Sequence, residues 1–473
     1  MRFATVKSKV VRRVSLLAVL WAVPTFCFGA NHYVRQGASG NGSGSDWTNA
    51  CPNFAGSCAI GSLVRGDTYY VAAGTYLSGG ADWNRGESGT SVITIKRATA
   101  TEHGTDTGWN NSFDAQVIWG PRWLFSSGYW TFEGVTGKSV PFAQAEPYGF
   151  SISDDGTSGQ ALIEINNGNS ITISHVLING VSCCRGSFTG PYGVHGNGVG
   201  TNFVLQYSAI VEAKSDPIHL NGPGSGVIID HVYIARNEGL LSTNHGQGIW
   251  LKDTSNATIR HSFFDDVAGT ATIVCGGGGP CTNINIYGNV FYHSRTHPQS
   301  SNGNVSGDEV TFLVEGIATC NNLTFHNNTA VGFDQQHSGF YGGSTAGTVS
   351  MMNNVWFNIE NSDIDLEGNQ DYNTFLNIGA SDSPTGGSHN FKTTSGSANP
   401  FVAMTDRNIH LSSSNSALHL NDGIQLPAPF NVDADGNPRG ADGTWDRGAY
   451  EFNSNVTVTR PNPPGNLQVT TVR

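Results

Sequence analysis

The chain has 473 residues, of which only 13% are charged, and it carries 36 acidic against 24 basic residues. Five basic residues and no acidic ones precede residue 30, so a chain without that segment carries 19 basic residues and a net charge of −17. Such a surface repels nucleic acid and no basic stripe offsets it, which excludes a nucleic-acid partner. A polyuronate would also be repelled unless cations bridge it or its groove is locally basic.

The first 29 residues have the form of a secretory signal peptide. Four basic residues between Lys7 and Arg13 precede an apolar run at residues 14–28, and we expect cleavage after Gly29. No later apolar run is long enough to span a membrane. The mature protein is therefore expected outside the cell or in the periplasm.

A short pattern recurs from residue 171 onward, in which an apolar anchor is followed two to three residues later by His, Asn or Ser. The seven anchors are Ile173, Leu205, Ile229, Ile259, Ile286, Phe325 and Met351. They are separated by 32, 24, 30, 27, 39 and 26 residues, a spacing typical of a solenoid whose turns carry loops of varying length. The anchors lie in segments of alternating polarity, which predict short strands.

A second set of predicted strands precedes the anchors, at residues 217–220, 248–251, 271–274 and 310–313. Two or more strands per turn, each pairing with its equivalent in the next turn, predict a parallel β-helix with a continuous core. The fold class is therefore all-β.

The chain resembles the right-handed parallel β-helix superfamily, which is best known from pectate lyases and related polysaccharide-cleaving enzymes. The segments NHYVRQGASG at residues 31–40 and GDTYYVAAGTY at residues 66–76 resemble the start of many secreted β-helices. DADGNPR at residues 433–439 and DRGAYEF at residues 446–452 resemble a common closing segment. We therefore expect one right-handed parallel β-helix domain at residues 30–452 and an extended tail at residues 453–473.

Seven cysteines remain after residue 29, an odd number for an oxidising compartment. Cys51 and Cys58 flank a short loop and are expected to form a disulfide. Cys281 and Cys320 both begin an anchor strand, should stack in adjacent coils and form the second expected disulfide, with Cys275 as the alternative partner of Cys281. Zinc-type spacing is absent, so no structural zinc site is predicted, and no residue is assigned as a metal ligand.

The histidines divide into two groups. His175, His231 and His261 occupy one column across the coils, beside a column of Ser and Asn, and such columns form polar ladders at a bend. We expect these three histidines to be structural.

The strands that precede the anchors carry the candidate catalytic and substrate-binding residues. Alternation turns His219, Trp250, Thr272 and Leu313 outward in one column. The next outward column holds Asn221, Lys252, Val274 and Glu315. The residues at the entrances to these strands are Asp216, His245, Gln247, Asp308 and Glu309. Carboxylates, histidine, lysine and an exposed aromatic side chain on one face predict a sugar-binding groove, with His219, Trp250, Gln247, Arg260 and Glu315 as substrate-binding residues.

Three functions are compatible with these outward-facing residues, and each of them has a polysaccharide or another glycan as its partner. We expect the chain to be a monomer. A lyase needs a base, Lys252 or His245, and a cation to neutralise the uronate carboxylate, Arg260 or a bound calcium ion. The acidic segment SDIDLE at residues 362–367 is the candidate calcium site, and we expect no other cofactor.

An inverting hydrolase needs two carboxyl groups, which Asp216 with Asp308 or Glu309 would supply. The tract NHGQGI at residues 244–249 resembles polygalacturonase-type hydrolases, but their paired Asp motif is reduced to Asp216 and their Arg-x-Lys motif is missing. The third hypothesis is a glycan-binding or adhesin-type β-helix without catalysis. The superfamily resemblance favours the lyase.

Overall fold

The structure is a computed structural model, and the part of the chain that it describes falls into a series of ranges. These are residues 29–135, 148–156, 159–166, 168–180, 192–198, 200–222, 224–237, 246–267, 271–277, 279, 281–294, 312–316, 320–333, 340–341, 349–359, 369–379, 386–413 and 416–452. The predicted signal peptide and the predicted tail at residues 453–473 lie outside them.

Three long parallel sheets run side by side along the described part of the chain, and a small antiparallel pair follows them. The thirteen-stranded sheet contains Asn31–Val34, Thr68–Val71, Ile93–Arg97, Trp130–Glu133, Ile171–Ser174, Phe203–Gln206, Gly224–Ser225, Ile228–Asp230, Thr254–Arg260, Cys281–Tyr287, Cys320–His326, Val349–Met352 and Asn369–Asp371. The twelve-stranded sheet contains Gly74–Tyr76, Val117–Trp119, Phe150–Ser153, Val176–Asn179, Ala209–Val211, Tyr233–Ala235, Phe263–Asp265, Val290–Tyr292, Thr329–Val331, Val355–Ile359, Thr374–Ile378 and Phe391–Lys392.

The nine-stranded sheet contains Ala81–Trp83, Trp123–Phe125, Ala161–Asn166, Tyr192–Asn197, Ile218–Asn221, Ile249–Leu251, Ala271–Cys275, Phe312–Glu315 and Phe340–Tyr341. The antiparallel pair is Phe401–Ala403 with Asn408–Leu411, and short 3₁₀ helices occupy Gly56–Cys58, Ile60–Ser62, Asn111–Phe113, Met404–Asp406 and Ser416–Leu418. The chain visits the three long sheets in a fixed rotation, so each circuit adds one coil to a right-handed parallel β-helix. The predicted fold class is confirmed.

The anchor register is as the sequence predicts. All seven anchors are partners of one another from coil to coil, from Ile173 and Leu205 to Phe325 and Met351. Their side chains point inward and belong to one hydrophobic core that continues through the stacked coils. Each strand therefore buries one face against the interior, because alternate side chains of a strand point to opposite faces.

The register of the strands that precede the anchors differs from the prediction by two residues. His219 pairs with Trp250, but Trp250 pairs with Val274 and Val274 with Glu315. Thr272 and Leu313 therefore do not continue the His219 column. A shift by two residues keeps every side chain on its predicted face, so polarity alternation alone does not detect it.

Cys51 and Cys58 form the expected disulfide, with an S–S distance of 2.00 Å. Cys281 and Cys320 are register partners in adjacent coils, as predicted, but the expected bond between them is wrong. Both are buried and outside any disulfide, and the same holds for Cys275.

Candidate functional site

One column of side chains on the nine-stranded sheet, on the side away from the core, contains ionisable and aromatic residues. Its members, paired from coil to coil, are Asp82, Leu124, Glu164, His195, His219, Trp250 and Val274. A second column lies two residues further along each strand, where Asn166, Asn197 and Asn221 are register partners and Lys252 follows Leu251. We call these two columns the outer face.

Asp216 and His219 form a buried pair at its centre. His219 Nδ1 lies 2.8 Å from Asp216 Oδ2, and the two residues are 5% and 3% exposed. Asp216 comes just before the strand Ile218–Asn221, and the backbone N–H of Gln247 in the next coil also donates to its carboxylate. Burial raises the pKa of Asp216, although the hydrogen bond and charge of His219 oppose the rise. The pair resembles the base-and-orienting-carboxylate arrangement of general base catalysis.

A second imidazole packs against this pair from the preceding coil. The His195 ring lies 5.4 Å from the His219 ring, and Tyr192 contacts both. Burial, with the positive charges of His219 and Lys252, lowers the pKa of His195 to about 4. His195 is therefore neutral near pH 7. Among the described residues, His195 Nδ1 and His219 Nε2 are buried without a hydrogen-bond partner.

Trp250 and Lys252 lie one coil beyond His219 and contact each other. Lys252 Nζ lies 3.8 Å from the centroid of the Trp250 ring, a favourable cation–π distance. The Trp250 ring also contacts His219 at 4.8 Å, and its Nε1 donates to the carbonyl of Gly276 at 2.9 Å. Trp250 is thus held firmly and half-buried, and it places the Lys252 ammonium beside the Asp216–His219 pair.

The sequence reasoning missed the part of the outer face formed by the two preceding coils. Glu164 binds Arg122 at 2.5 Å and accepts from Asn166 at 3.2 Å. A signal was present in the sequence, because Glu164, His195 and His219 are each followed two residues later by Asn. Equal spacing in successive strands places equivalent side chains side by side.

Arg260 does not join the outer face. It belongs to the thirteen-stranded sheet, where it binds Asp230 Oδ2 at 2.6 Å and the Tyr287 hydroxyl at 3.1 Å. Burial would raise the pKa of Asp230, but hydrogen bonds from His231, His261 and Arg260 hold it well below its usual range. A guanidinium already paired in this way on another sheet is a poor partner for a substrate at the outer face.

Asp230, His231 and His261 bring three ligand atoms within 4.8 Å of one another. This cluster does not suit calcium, which takes six to eight oxygen ligands, because it offers one carboxylate that is already paired. The expected calcium segment at residues 362–367 lies outside the described residues.

Several expected site residues also lie outside the described part of the chain: His245, Asp308 and Glu309. Glu315 belongs to the strand Phe312–Glu315 and is the register partner of Val274, but its side chain is not described. Gln247 is buried, at 3% exposure, beside Asp216 rather than open to a sugar.

Within the described ranges, no helix has the length and apolar character needed to cross a membrane.

Solved structures that are similar to this chain include polysaccharide lyases. Pectate lyase Pel9A is 16% identical, covers 90% of this chain and 96% of its own, and superposes with a TM-score of 0.48. An alginate lyase from Paenibacillus sp. str. FPU-7 is 13% identical, with 71% and 94% covered and a TM-score of 0.39. The PL6 family polysaccharide lyase Pedsa3628 from Pseudopedobacter saltans is 12% identical, with 71% and 90% covered and a TM-score of 0.33.

No protein-family model matches the chain, and no curated protein does. At these identities the likeness concerns architecture alone, and the sheets described above make the chain a right-handed parallel β-helix.

Proposed function

We propose that this chain is an exported polysaccharide lyase, which cleaves a uronate-containing glycan by β-elimination on the outer face of the nine-stranded sheet. The observation that carries the proposal is the Asp216–His219 pair beside Lys252 and Trp250 in consecutive coils. Coils about 4.8 Å apart present their side chains at a spacing that a sugar chain can follow.

Elimination needs a base for the proton on the carbon next to the uronate carboxylate. His219 suits this role because Asp216 engages its Nδ1 and leaves Nε2 without a partner among the described residues. When Nε2 takes the proton, the electron pair of the C–H bond forms the new double bond and the glycosidic oxygen leaves. Since His219 is only 5% exposed, the sugar must enter past the half-buried rings of Tyr192 and Trp250.

Lys252 is the group that neutralises the uronate carboxylate in this proposal. Its ammonium is half-buried on the outer face, and a fixed cation there stabilises the negative charge that develops when the proton is removed. Lys252 acting as the base is the competing assignment. His245 remains a further proposed base, and a calcium ion a further proposed neutraliser.

An inverting hydrolase is the second candidate, and one observation favours it. Burial raises the pKa of Asp216, as a general acid requires. Its second carboxylate would be Asp308 or Glu309, because Glu164 is already paired with Arg122.

The test is a panel of neutral and uronic polysaccharides, each incubated with the protein in calcium and in a chelator. Ultraviolet absorbance from unsaturated ends that rises together with reducing ends is the expected result. Reducing ends alone would establish hydrolysis, and neither signal together with retention on a glycan column would leave binding as the function.

Substitutions at two positions separate the roles on the active polysaccharide. His219→Ala should lower kcat by about 10²–10⁴-fold, the usual contribution of a general base. Lys252→Arg should retain most activity if the residue is a neutralising cation, whereas Lys252→Ala should not. Loss of activity in Lys252→Arg with unchanged substrate binding would make Lys252 the base. His231→Ala, on another sheet, is the matched control and should keep its activity per folded molecule.

A further inference from the structure

Three cysteines meet in the core behind the outer face. Cys275 ends the strand Ala271–Cys275, Cys281 begins the next strand, and Cys320 is the register partner of Cys281 one coil further on. Each is at most 1% exposed, and their three sulfur atoms all lie within 4.8 Å of one another. Two bends of the solenoid therefore direct three thiols at one point.

Backbone groups of three further residues surround the Cys281 sulfur. The backbone N–H groups of Thr254 and Gly276 donate to this sulfur. The Cys281 thiol itself donates to the Leu251 carbonyl oxygen at 3.4 Å. A cation that displaces the thiol protons would therefore meet buried sulfur ligands, and thiolate sulfur is the form that binds metal.

We propose that Cys275, Cys281 and Cys320 bind one thiophilic cation of the copper(I) type through their sulfur atoms. Thiolate sulfur selects soft ions such as Cu(I) or Zn²⁺ over hard ions such as Ca²⁺. Structural zinc takes four ligands, and the described residues bring three sulfur atoms together here. A buried three-sulfur set therefore suits the ion that accepts low coordination. Each thiol that binds the ion releases its proton to solvent, and no oxidant is consumed.

A disulfide is the competing arrangement, and the geometry favours it less. A disulfide between any two of these cysteines would leave the third as an isolated buried thiol.

The bound ion would tie two coils together beside the outer face. Gly276 follows Cys275 directly, and its carbonyl accepts from Trp250 Nε1 at 2.9 Å. Metal at the three-cysteine site would therefore hold the backbone that positions Trp250, independently of what the outer face binds or cleaves.

The experiment titrates the full chain, isolated without a reductant and then handled anaerobically, with Cu(I) against a colorimetric Cu(I) chelator. Because Cys27, Cys183 and Cys184 lie outside the described residues, the starting protein is the Cys27→Ser/Cys183→Ser/Cys184→Ser variant. We expect one equivalent of Cu(I) per chain, protection of the three cysteines from alkylation, and a higher melting temperature. Cys275→Ala and Cys320→Ala should each lose the equivalent while keeping the far-ultraviolet circular dichroism of a β-helix.

Two results would overturn the proposal. One is a peptide map of the isolated protein that shows a disulfide between any two of the three cysteines. The other is Cu(I) binding that is unchanged in both alanine variants. If either variant fails to fold, the starting protein decides the matter alone: one equivalent of Cu(I) bound with a higher melting temperature supports the proposal, and no Cu(I) bound overturns it.

Discussion

His231 and His219 differ in whether the second ring nitrogen has a hydrogen-bond partner. In His231 both nitrogens are engaged, Nδ1 by Asp230 at 2.6 Å and Nε2 by the Ala434 carbonyl at 3.1 Å. In His219 only Nδ1 is engaged by a described residue. The sequence column groups His231 with His175 and His261 but carries no information on the second nitrogen, and Nε2 of His261 also lacks a partner among the described residues.

His231→Ala should therefore destabilise the fold without touching the proposed chemistry. Two lost hydrogen bonds, one of them to a charged group, and a lost ring contact with Tyr207 should cost about 2–4 kcal/mol. Denaturant unfolding of the purified variant measures the loss. A stable variant with no activity would contradict the structural role.

A pH dependence of stability is expected from Asp446 in the closing segment. Burial raises the pKa of Asp446 to about 8, against about 3.9 in an unfolded chain. The folded state therefore binds the proton of Asp446 more tightly than the unfolded chain does. The stabilisation that this proton contributes to the free energy of unfolding is full below about pH 4 and is lost as the pH rises towards about 8. Melting temperatures measured across this range should fall for the native chain.

Asp446→Asn is the matched variant, because it keeps an oxygen that can accept from the Phe452 N–H and cannot ionise. Its melting temperature should fall less over the same range. Equal slopes for the two proteins would exclude Asp446 as the source.

At the scale of the element, eight consecutive coils, from the strand Ile171–Ser174 onward, turn from the thirteen-stranded to the twelve-stranded sheet through one left-handed residue. His175, Tyr207, His231, His261, Gly288, Asn327, Asn353 and Tyr372 all have φ between 48° and 65°. The next position along the chain holds buried Asn289, Asn328, Asn354 and Asn373, which are hydrogen-bonded side chain to side chain at 2.9–3.2 Å. We call these four residues the asparagine ladder.

Asn328→Ala should remove the middle of the asparagine ladder and cost about 2–5 kcal/mol. It leaves the Asn289 N–H and the Ile286 carbonyl buried without their partner, at about 1–3 kcal/mol each. Asn322→Gly is the control, since Asn322 belongs to an exposed asparagine row in the same coil and glycine accepts its φ of 61°. Denaturant midpoints that shift equally in the two variants would refute the special role of the ladder.

The sequence predicts the strands at this corner better than the strands of the outer face. Anchors such as Ile259 and Ile286 are followed by turn residues, and the turn fixes which residue pairs with which. The strand Ala271–Cys275 offers only alternating polarity, which is unchanged by a shift of two residues. The pairing of Trp250 with Val274 therefore could not be predicted.

At the scale of the molecule, the closing segment at residues 416–452 returns along this same corner. Asn353 Nδ2 donates to the Ile424 carbonyl at 2.8 Å, and Asn327 Nδ2 donates to the Phe430 carbonyl at 3.2 Å. Arg447, at 1% exposure, reaches the Asn373 carbonyl at 2.9 Å. A segment far away in sequence thus satisfies the polar side chains of several coils.

A chain that ends at Ser413 should therefore melt well below one that ends at Phe452. It loses these hydrogen bonds, and the deletion of Leu420, Ala449 and Tyr450 uncovers the apolar residues that cluster with them, such as Val331, Val355 and Leu376. The chain that ends at Phe452 should melt with the full-length protein, as expected for a tail at residues 453–473. Equal melting of all three would mean that the closing segment adds no stability.

The asparagine ladder also bears on how the loops of such a protein can vary. Consecutive members of the asparagine ladder are separated by 39, 26 and 19 residues, yet their side chains meet at nearly the same distance. The alignment of the coils therefore does not depend on the number of residues in each coil. Loops next to the outer face could change in length and composition while the coils beneath them stay aligned. Such a protein could therefore acquire a new substrate specificity without changes in its hydrophobic core.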